Sequence, residues 1–317
     1  MATFSDPTFS STNYSSFRPR YRDSLYTDFL IPYHHGPRET LLDLGCGPGI
    51  VTRPLSRFFT SVIGTDPSAV MLSSARTDTP TAEYPNITYR QASAEDLPFL
   101  ADASVDMVVV GQAAHWFDHP RWWREMARVV RPGGTIAAWG YRDWIFTEYP
   151  KASVLVRKYS ADQDKMGACW SQPGRSYVDD RLRVLRPSEA EWEDVLRWEW
   201  DPVFKAPATE EEKKGALRPV QGDDGKEGFG KLVKTDEPLM VQRLRLKDVE
   251  NYWRTWSCLH AWKEKHPQHK ARRDGGEGDI IDWAMDEMAK EEGWESDWPE
   301  KEVELAWGHG LVIARRK

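Results

Sequence analysis

The chain has 317 residues, 40% of them hydrophobic, which is enough to bury one large domain or a domain with an elaboration. Lys and Arg total 43 against 50 Asp and Glu, a formal charge of -7. That balance argues against a broad nucleic-acid surface or an anionic-membrane surface, because both need a positive field, and no apolar run approaches the roughly 18 residues of a spanning helix.

The first residues, Met1 to Tyr14, are polar and rich in Ser and Thr, with no apolar core, and the first basic residue is Arg18. They read as neither a signal peptide nor a transit peptide. From Thr40 to Trp139 strands and helices alternate. Leu41 to Leu44 is a short buried strand ending in Gly45-Cys46-Gly47-Pro48-Gly49, and a helix is expected after it through Phe58. Ser61 to Thr65 is a second strand, closed by Asp66-Pro67-Ser68, with Asp66 or Ser68 capping a helix through Arg76. Ile87 to Gln91 is a third strand. Val105 to Val110 is a continuous apolar run, the signature of a central parallel strand covered on both faces. A helix over Pro120 to Val130 ends at Arg131-Pro132-Gly133-Gly134, and Thr135 to Trp139 is a fifth strand.

After Gly140 this rhythm is expected to break. Twelve of the 16 Trp lie beyond residue 140, so the two parts of the chain do different jobs. Trp198 to Phe204 is offered as a return to the sheet, and Ala208 to Glu237 as a charged, mobile excursion. Leu239 to Leu246 alternates like a strand. Lys247 to Lys265 reads as one amphipathic helix whose Trp stripe is mostly core, Ile280 to Trp294 as another helix, and Val303 to Ala314 as a last strand. The expected architecture is α/β: a Rossmann-like, mostly parallel, seven-stranded sheet with a helical, aromatic insertion capping the substrate. Its parts are an N-terminal arm over 1–39, a cofactor-binding core over 40–140, and an insertion with sheet-completing strands over 141–317.

The informative segment is Asp43-Leu44-Gly45-Cys46-Gly47-Pro48-Gly49 followed by Asp66. Glycines at a strand-to-helix turn let the backbone pass close to a ligand, and a carboxylate about 20 residues on, at the end of the next strand, suits a ribose diol. The spacing is G-x-G-x-G rather than G-x-G-x-x-G, and it follows an acid. Asp43 would repel a pyrophosphate but suits the ammonium of a methionine moiety, which points to S-adenosyl-L-methionine. Pro67 belongs to the same turn. Ala94-Glu95 after strand three and Gln112 after strand four extend the candidate cofactor set, and Tyr14 and Arg18 are placed over it as an arm. Trp116 is placed against the adenine or the methyl-transfer chamber.

With His115-Trp116-Phe117-Asp118 after strand four, the chain resembles the trans-aconitate methyltransferase family of class I S-adenosylmethionine-dependent methyltransferases. Tyr14 to Tyr21, Ile136 to Tyr141, Trp170-Ser171-Gln172-Pro173-Gly174-Arg175-Ser176, Tyr252 to Ser257 and His260-Ala261-Trp262 carry the resemblance. It implies methyl transfer to a carboxylate of a small acid, giving a methyl ester. A carboxylate is ionised at neutral pH, so the site needs alignment and dryness more than a general base. Arg175 and Arg254 are then the expected carboxylate-binding groups, at least one of them bidentate, with Trp170, Trp256, Tyr141 and His260 beside them. His115 serves as a wall or hydrogen-bond donor for a carboxylate, or as the base if the acceptor is a phenol or alcohol of a natural product. A cofactor-binding module without transfer activity is the third reading.

Cys46, Cys169 and Cys258 are few, odd in number and far apart, so neither a disulfide framework nor a metal site is expected. Together these features predict a cytoplasmic protein, with a monomer favoured, acting on a small molecule and on neither nucleic acid nor membrane.

Overall fold

The computed structural model describes residues 18–217, 220, 228–234 and 240–317. One nine-stranded sheet organises them. In chain order the strands are β1 (Thr40–Leu44), β2 (Ser61–Asp66), β3 (Ile87–Gln91), β4 (Val105–Gly111), β5 (Val130–Phe146), β6 (Trp192–Trp200), β7 (Lys231–Lys234), β8 (Val241–Arg245) and β9 (Glu302–Arg316). Their spatial order is β3-β2-β1-β4-β5-β9-β6-β7, with β8 also paired to β9. β1 to β5 are mutually parallel, and β9 runs antiparallel to β5, β6 and β8. This is a Rossmann-like, mostly parallel α/β sheet, with two strands more than the seven expected.

The parallel strands are apolar on both sides because helices cover both faces. Leu41, Met107, Val109 and Ala137 enter one core, while Leu42, Val108, Val110 and Ala138 enter the other. The helices used below are α1 (Thr52–Leu55), α2 (Ala69–Thr77), α3 (His119–Val129), α4 (Pro150–Ala161), α5 (Gly174–Asp179), α6 (Glu210–Ala216), α7 (Leu246–Trp253), α8 (Ser257–Lys265) and α9 (Ile280–Glu292). Ser68 caps α2 by accepting from the Met71 amide, and Asp118 caps α3 by accepting from Arg121. The chain leaves β1 toward β2 and β3, then crosses back to β4. The order therefore reverses between β1 and β4, where the carboxyl ends of an open α/β sheet form a binding crevice.

Several expectations need correction. The helix after the glycine turn is only α1, continued by a 3-10 turn over Ser56–Phe58. β5 does not stop at Trp139 but runs to Phe146, because β9 pairs along its whole distal half. Between Tyr141↔His309 and Trp144↔Trp307 the register shifts, with Arg142 and Asp143 opposing the single residue Gly308. Such a bulge re-aims side chains. The segment 208–237 is not wholly irregular. It contains α6, closed by a Thr209–Glu212 capping box, and β7.

The helix expected over Lys247 to Lys265 is two helices. Thr255 folds its hydroxyl onto the Tyr252 carbonyl (2.6 Å), and Trp256 is extended, so α8 starts anew after it. That break is packed into a third core, in which Trp144, Tyr252, Trp253, Trp256 and Trp307 interlock with α9. Among the described residues no helix is long and apolar enough to cross a membrane.

Candidate active site

The β1–β4 switch point opens into a cleft of about 920 Å³, measured to include its solvent mouth. Asp43, Gly45, Cys46, Gly47 and Pro48 line one side, and Asp66, Pro67, Ser68 and Met71 another. Gln112, Trp116, Phe117, Tyr141 and Arg18 close it. Gly45, Gly47 and Gly49 all have positive φ (63°, 52° and 80°), a region other residues enter at a cost. A Cβ built on Gly47 would meet nothing within 4 Å, so the glycine leaves open space beside the cleft.

Two carboxylates frame this turn. Asp66 accepts from the Gly47 amide at 3.0 Å and from the Ser68 amide at 2.8 Å. Burial raises its pKa, and those two amides restrain the rise. Asp43 is buried and accepts from the Thr52 hydroxyl at 2.6 Å. Burial, aided by the charge of Asp66, pushes Asp43 up to about 7. Desolvation likewise holds the buried Cys46 thiol protonated. A buried acid beside an open cleft suits a ligand that brings a cation, and a second acid at a strand end suits hydroxyl donors.

A second cavity of about 660 Å³ adjoins the first. The two share Arg18, Gln112, Trp116 and Tyr141. His115, Trp170, Arg175 and Trp256 complete the part the sequence pointed to, and Arg142, Asp143, Ser171, Val178, Tyr252 and Ser257 add the rest. Arg18 donates to the Tyr141 hydroxyl at 3.2 Å and to the Thr255 carbonyl at 3.4 Å, and it lies over the Tyr252 ring. α5 approaches the Ala114–Trp116 turn so closely that a Cβ on Gly174 would lie 2.9 Å from the His115 carbonyl oxygen. The glycine of the Gln-Pro-Gly-Arg segment thus brings Arg175 to the cavity.

His115 is half-buried in the cavity wall, and its shielded Nδ1 has no hydrogen-bond partner among the described residues. Burial lowers its pKa to about 3, reinforced by the charges of Arg18 and Arg175, so the ring is neutral. Arg175 stacks 4.3 Å from Trp170 and forms a two-pronged ion pair with Asp143, at 2.8 and 2.5 Å. Burial alone would raise the Asp143 pKa, but the charge and hydrogen bonds of Arg175 hold it below the usual carboxylate range.

The structure separates the candidate residues into three groups. Asp43, Gly45, Cys46, Gly47, Asp66 and Pro67 line the first cleft, His115, Trp170, Arg175 and Trp256 the second, and Arg18, Gln112, Trp116 and Tyr141 both. Tyr14 lies outside the described residues. The rest are corrections. Gly49 sits below the cleft, where it abuts the Tyr89 hydroxyl. Ala94 and Glu95 do not line the cleft: Ala94 is core, and Glu95 accepts from the Asp118 amide at 2.8 Å.

Arg254 is no cavity group, because Glu250, Asp279 and Asp282 surround its guanidinium at 2.7 to 2.8 Å. His260 faces Glu264 on α8 at 3.6 Å, outside the cavity lining. Gln112 turns its amide onto the backbone of Tyr141. Arg175 is at the cavity, but its fork is filled by Asp143. Sequence reading missed Asp143, although a charged Arg142-Asp143 pair inside the aromatic run Trp139 to Phe146 was the available signal.

Residues 42–138 match the model of the methyltransferase domain family. Residues 42–138 thus carry a methyltransferase domain. It is 35% identical over 182 residues to the "Probable S-adenosylmethionine-dependent methyltransferase CRG1" of Saccharomyces cerevisiae, an alignment covering 56% of this chain and 62% of that protein. It is 29% identical over 210 residues to the methyltransferase pgmE of Aspergillus terreus, covering 60% and 62% respectively. The alignments thus span under two thirds of these curated relatives. Among solved structures, a chain from Anaeromyxobacter dehalogenans assigned by name to the type II methyltransferases superposes with a TM-score of 0.60 at 26% identity, covering 94% of this chain and 98% of that one. The glycine turn, Asp43 and Asp66 fit the cofactor of this domain: open space at Gly47, an acid for its ammonium and an acid for its ribose.

Proposed function

We propose that the protein transfers a methyl group from S-adenosylmethionine to a carboxylate oxygen of a small organic acid, giving a methyl ester. The observation that carries this reading is the second cavity, which holds Arg18, Arg142 and Arg175 against one carboxylate, Asp143, and a neutral His115. An arginine-lined, aromatic chamber suits an anionic acceptor.

When bound in the first cleft, the cofactor supplies an electrophilic methyl group. The chain's own work is positional. Gln112 fixes Tyr141, and Tyr141 and Trp116 form the wall common to both cavities, so donor and acceptor approach from opposite sides of one aperture. Trp116, Trp170 and Trp256 exclude water from the acceptor side. Arg18 stands at the aperture, where it can hold an acceptor carboxylate near the transfer point. No proton need be removed from a carboxylate with a pKa of about 4. An imidazole whose conjugate acid has a pKa of about 3 is a weak base for a phenol, so His115 suits a wall or hydrogen-bonding role.

Labelled-methyl transfer to a panel of mono-, di- and tricarboxylic acids, trans-aconitate included, followed by mild alkali, tests the proposal. Acid-dependent label released as methanol is the expected result. Alkali-stable label on a phenolic or alcoholic acceptor, with none on any acid, would overturn it in favour of the His115-base reading. Cofactor binding without transfer to either class would leave a binding module.

A further inference from the structure

Building on the carboxyl-methylation reading, we propose that Asp143 is a specificity residue that restricts the acceptor to one carboxylate by filling the fork of Arg175. A guanidinium binds a carboxylate best through two parallel N–H···O bonds. In this protein that geometry is taken by the chain itself, with Nη1 to Oδ1 at 2.8 Å and Nη2 to Oδ2 at 2.5 Å. Asp179 lies 3.3 Å from the same Nη2, and Trp170 covers a face of the guanidinium at 4.3 Å. A ligand carboxylate has no second fork on Arg175 to enter unless Asp143 leaves.

Asp143 is held against leaving. The β5 bulge aims it into the cavity, and the Ser160 hydroxyl donates to its Oδ2 at 2.8 Å. Arg142 has a looser acidic neighbour, Asp201 at 3.6 Å, which it shares with Arg181. Arg18 donates to the Tyr141 hydroxyl and the Thr255 carbonyl on the lining. A second carboxylate on the acceptor would therefore face the Asp143 charge where a tricarboxylate site needs a cation. Specificity set by such a repulsive element discriminates against the wrong ligand without improving the right one. The aromatic part of the lining, Trp170, Trp256 and Tyr252 among others, suits an uncharged, partly apolar body. The acceptor class is a monocarboxylic acid with a neutral, aromatic-compatible remainder.

The test uses a matched pair, phenylacetate and 1,4-phenylenediacetate, measured as equilibrium binding to the full chain loaded with S-adenosylhomocysteine. Wild type is expected to prefer the monoacid. Asp143→Asn should shift the diacid-to-monoacid affinity ratio toward the diacid by about tenfold or more, the size of one charge-assisted interaction. The double variant Asp143→Asn/Arg175→Gln, a neutral pair of similar volume that should fold even if the single variant does not, should return the ratio to within about threefold of wild type. Melting and cofactor titration identify folded variants. A folded Asp143→Asn with an unchanged ratio, or a double variant that keeps the diacid preference, would overturn the assignment. Because the readout is binding, its failure is distinct from failure of the transfer assay, which alone decides carboxyl methylation.

Discussion

Gln112 closes both ends of its side-chain amide on the backbone of Tyr141: Oε1 accepts the Tyr141 N–H at 2.6 Å, and Nε2 donates to the Tyr141 carbonyl at 3.0 Å. It does so from a left-handed backbone, at φ 55°, directly after β4. A non-glycine residue holds that conformation only where its surroundings compensate, and here the compensation fixes the wall between the two cavities. Gln112→Glu keeps the acceptor but sets an oxygen against the Tyr141 carbonyl. It should cost about 1–3 kcal/mol of stability and lower the rate of methyl transfer. Chemical denaturation alongside single-turnover rates checks both, and an unchanged rate would remove Gln112 from the positioning machinery.

Asp43 makes cofactor binding pH-dependent. Its native pKa of about 7 lies above the unfolded value, so the cofactor-free protein keeps the proton on Asp43 below pH 7. For stability the sign is that of a raised acid: the contribution is full below the unfolded pKa near 4 and is lost as pH rises through 7. For binding, an ammonium beside Asp43 favours the carboxylate. Binding therefore releases a proton and tightens by up to about tenfold per pH unit below 7. It should weaken again above about 8, as an α-amino group loses its own proton. Calorimetric titration at several pH values should show this bell, and Asp43→Asn should flatten its acid limb.

His309 is buried and His115 half-buried, and both are neutral because desolvation is the main cause that lowers each to about 3. The unfolded chain protonates them below about 6.5. Stability is therefore lost as pH falls from 6.5 toward 3, by roughly 2 kcal/mol per histidine at pH 5. The buried Asp43 acts with the opposite sign across the same window. His309→Gln isolates the histidine: its unfolding free energy should fall less than that of wild type between pH 7 and pH 5. Parallel pH profiles would refute the assignment.

Arg254 should matter for stability alone. Replacing it with Met strands Asp279, which is fully buried, and should cost about 3–5 kcal/mol, as breaking a buried pair does. Melting measures the cost. Where the variant is still folded, its KM for the acceptor should match wild type, and a large rise in KM would return Arg254 to the site.

The local chemistry of the first half determined its own outcome. A strand, three glycines and two acids at the spacing of Asp43 to Asp66 leave few structures open, because the backbone angles and the strand-end carboxylate are set within about twenty-five residues. The strand positions from β1 to β4, the cap at Ser68, one of the two residues offered for it, and the cofactor class followed from short-range constraints of this kind. The second half depends on long-range pairing. Whether β5 stops at Trp139 or runs to Phe146 was decided by β9, more than 150 residues later in the chain. The bulge that aims Asp143 exists only in that pairing.

The two motif arginines show the same limit. Arg175 and Arg254 sit in similar aromatic, polar surroundings in the sequence. Tertiary packing gave one a cavity wall with a carboxylate already in its fork, and brought to the other, beside its local partner Glu250, the two acids at the start of α9, Asp279 and Asp282. A guanidinium binds whichever carboxylate the fold brings within reach, and the sequence neighbours of an arginine do not reveal which that is.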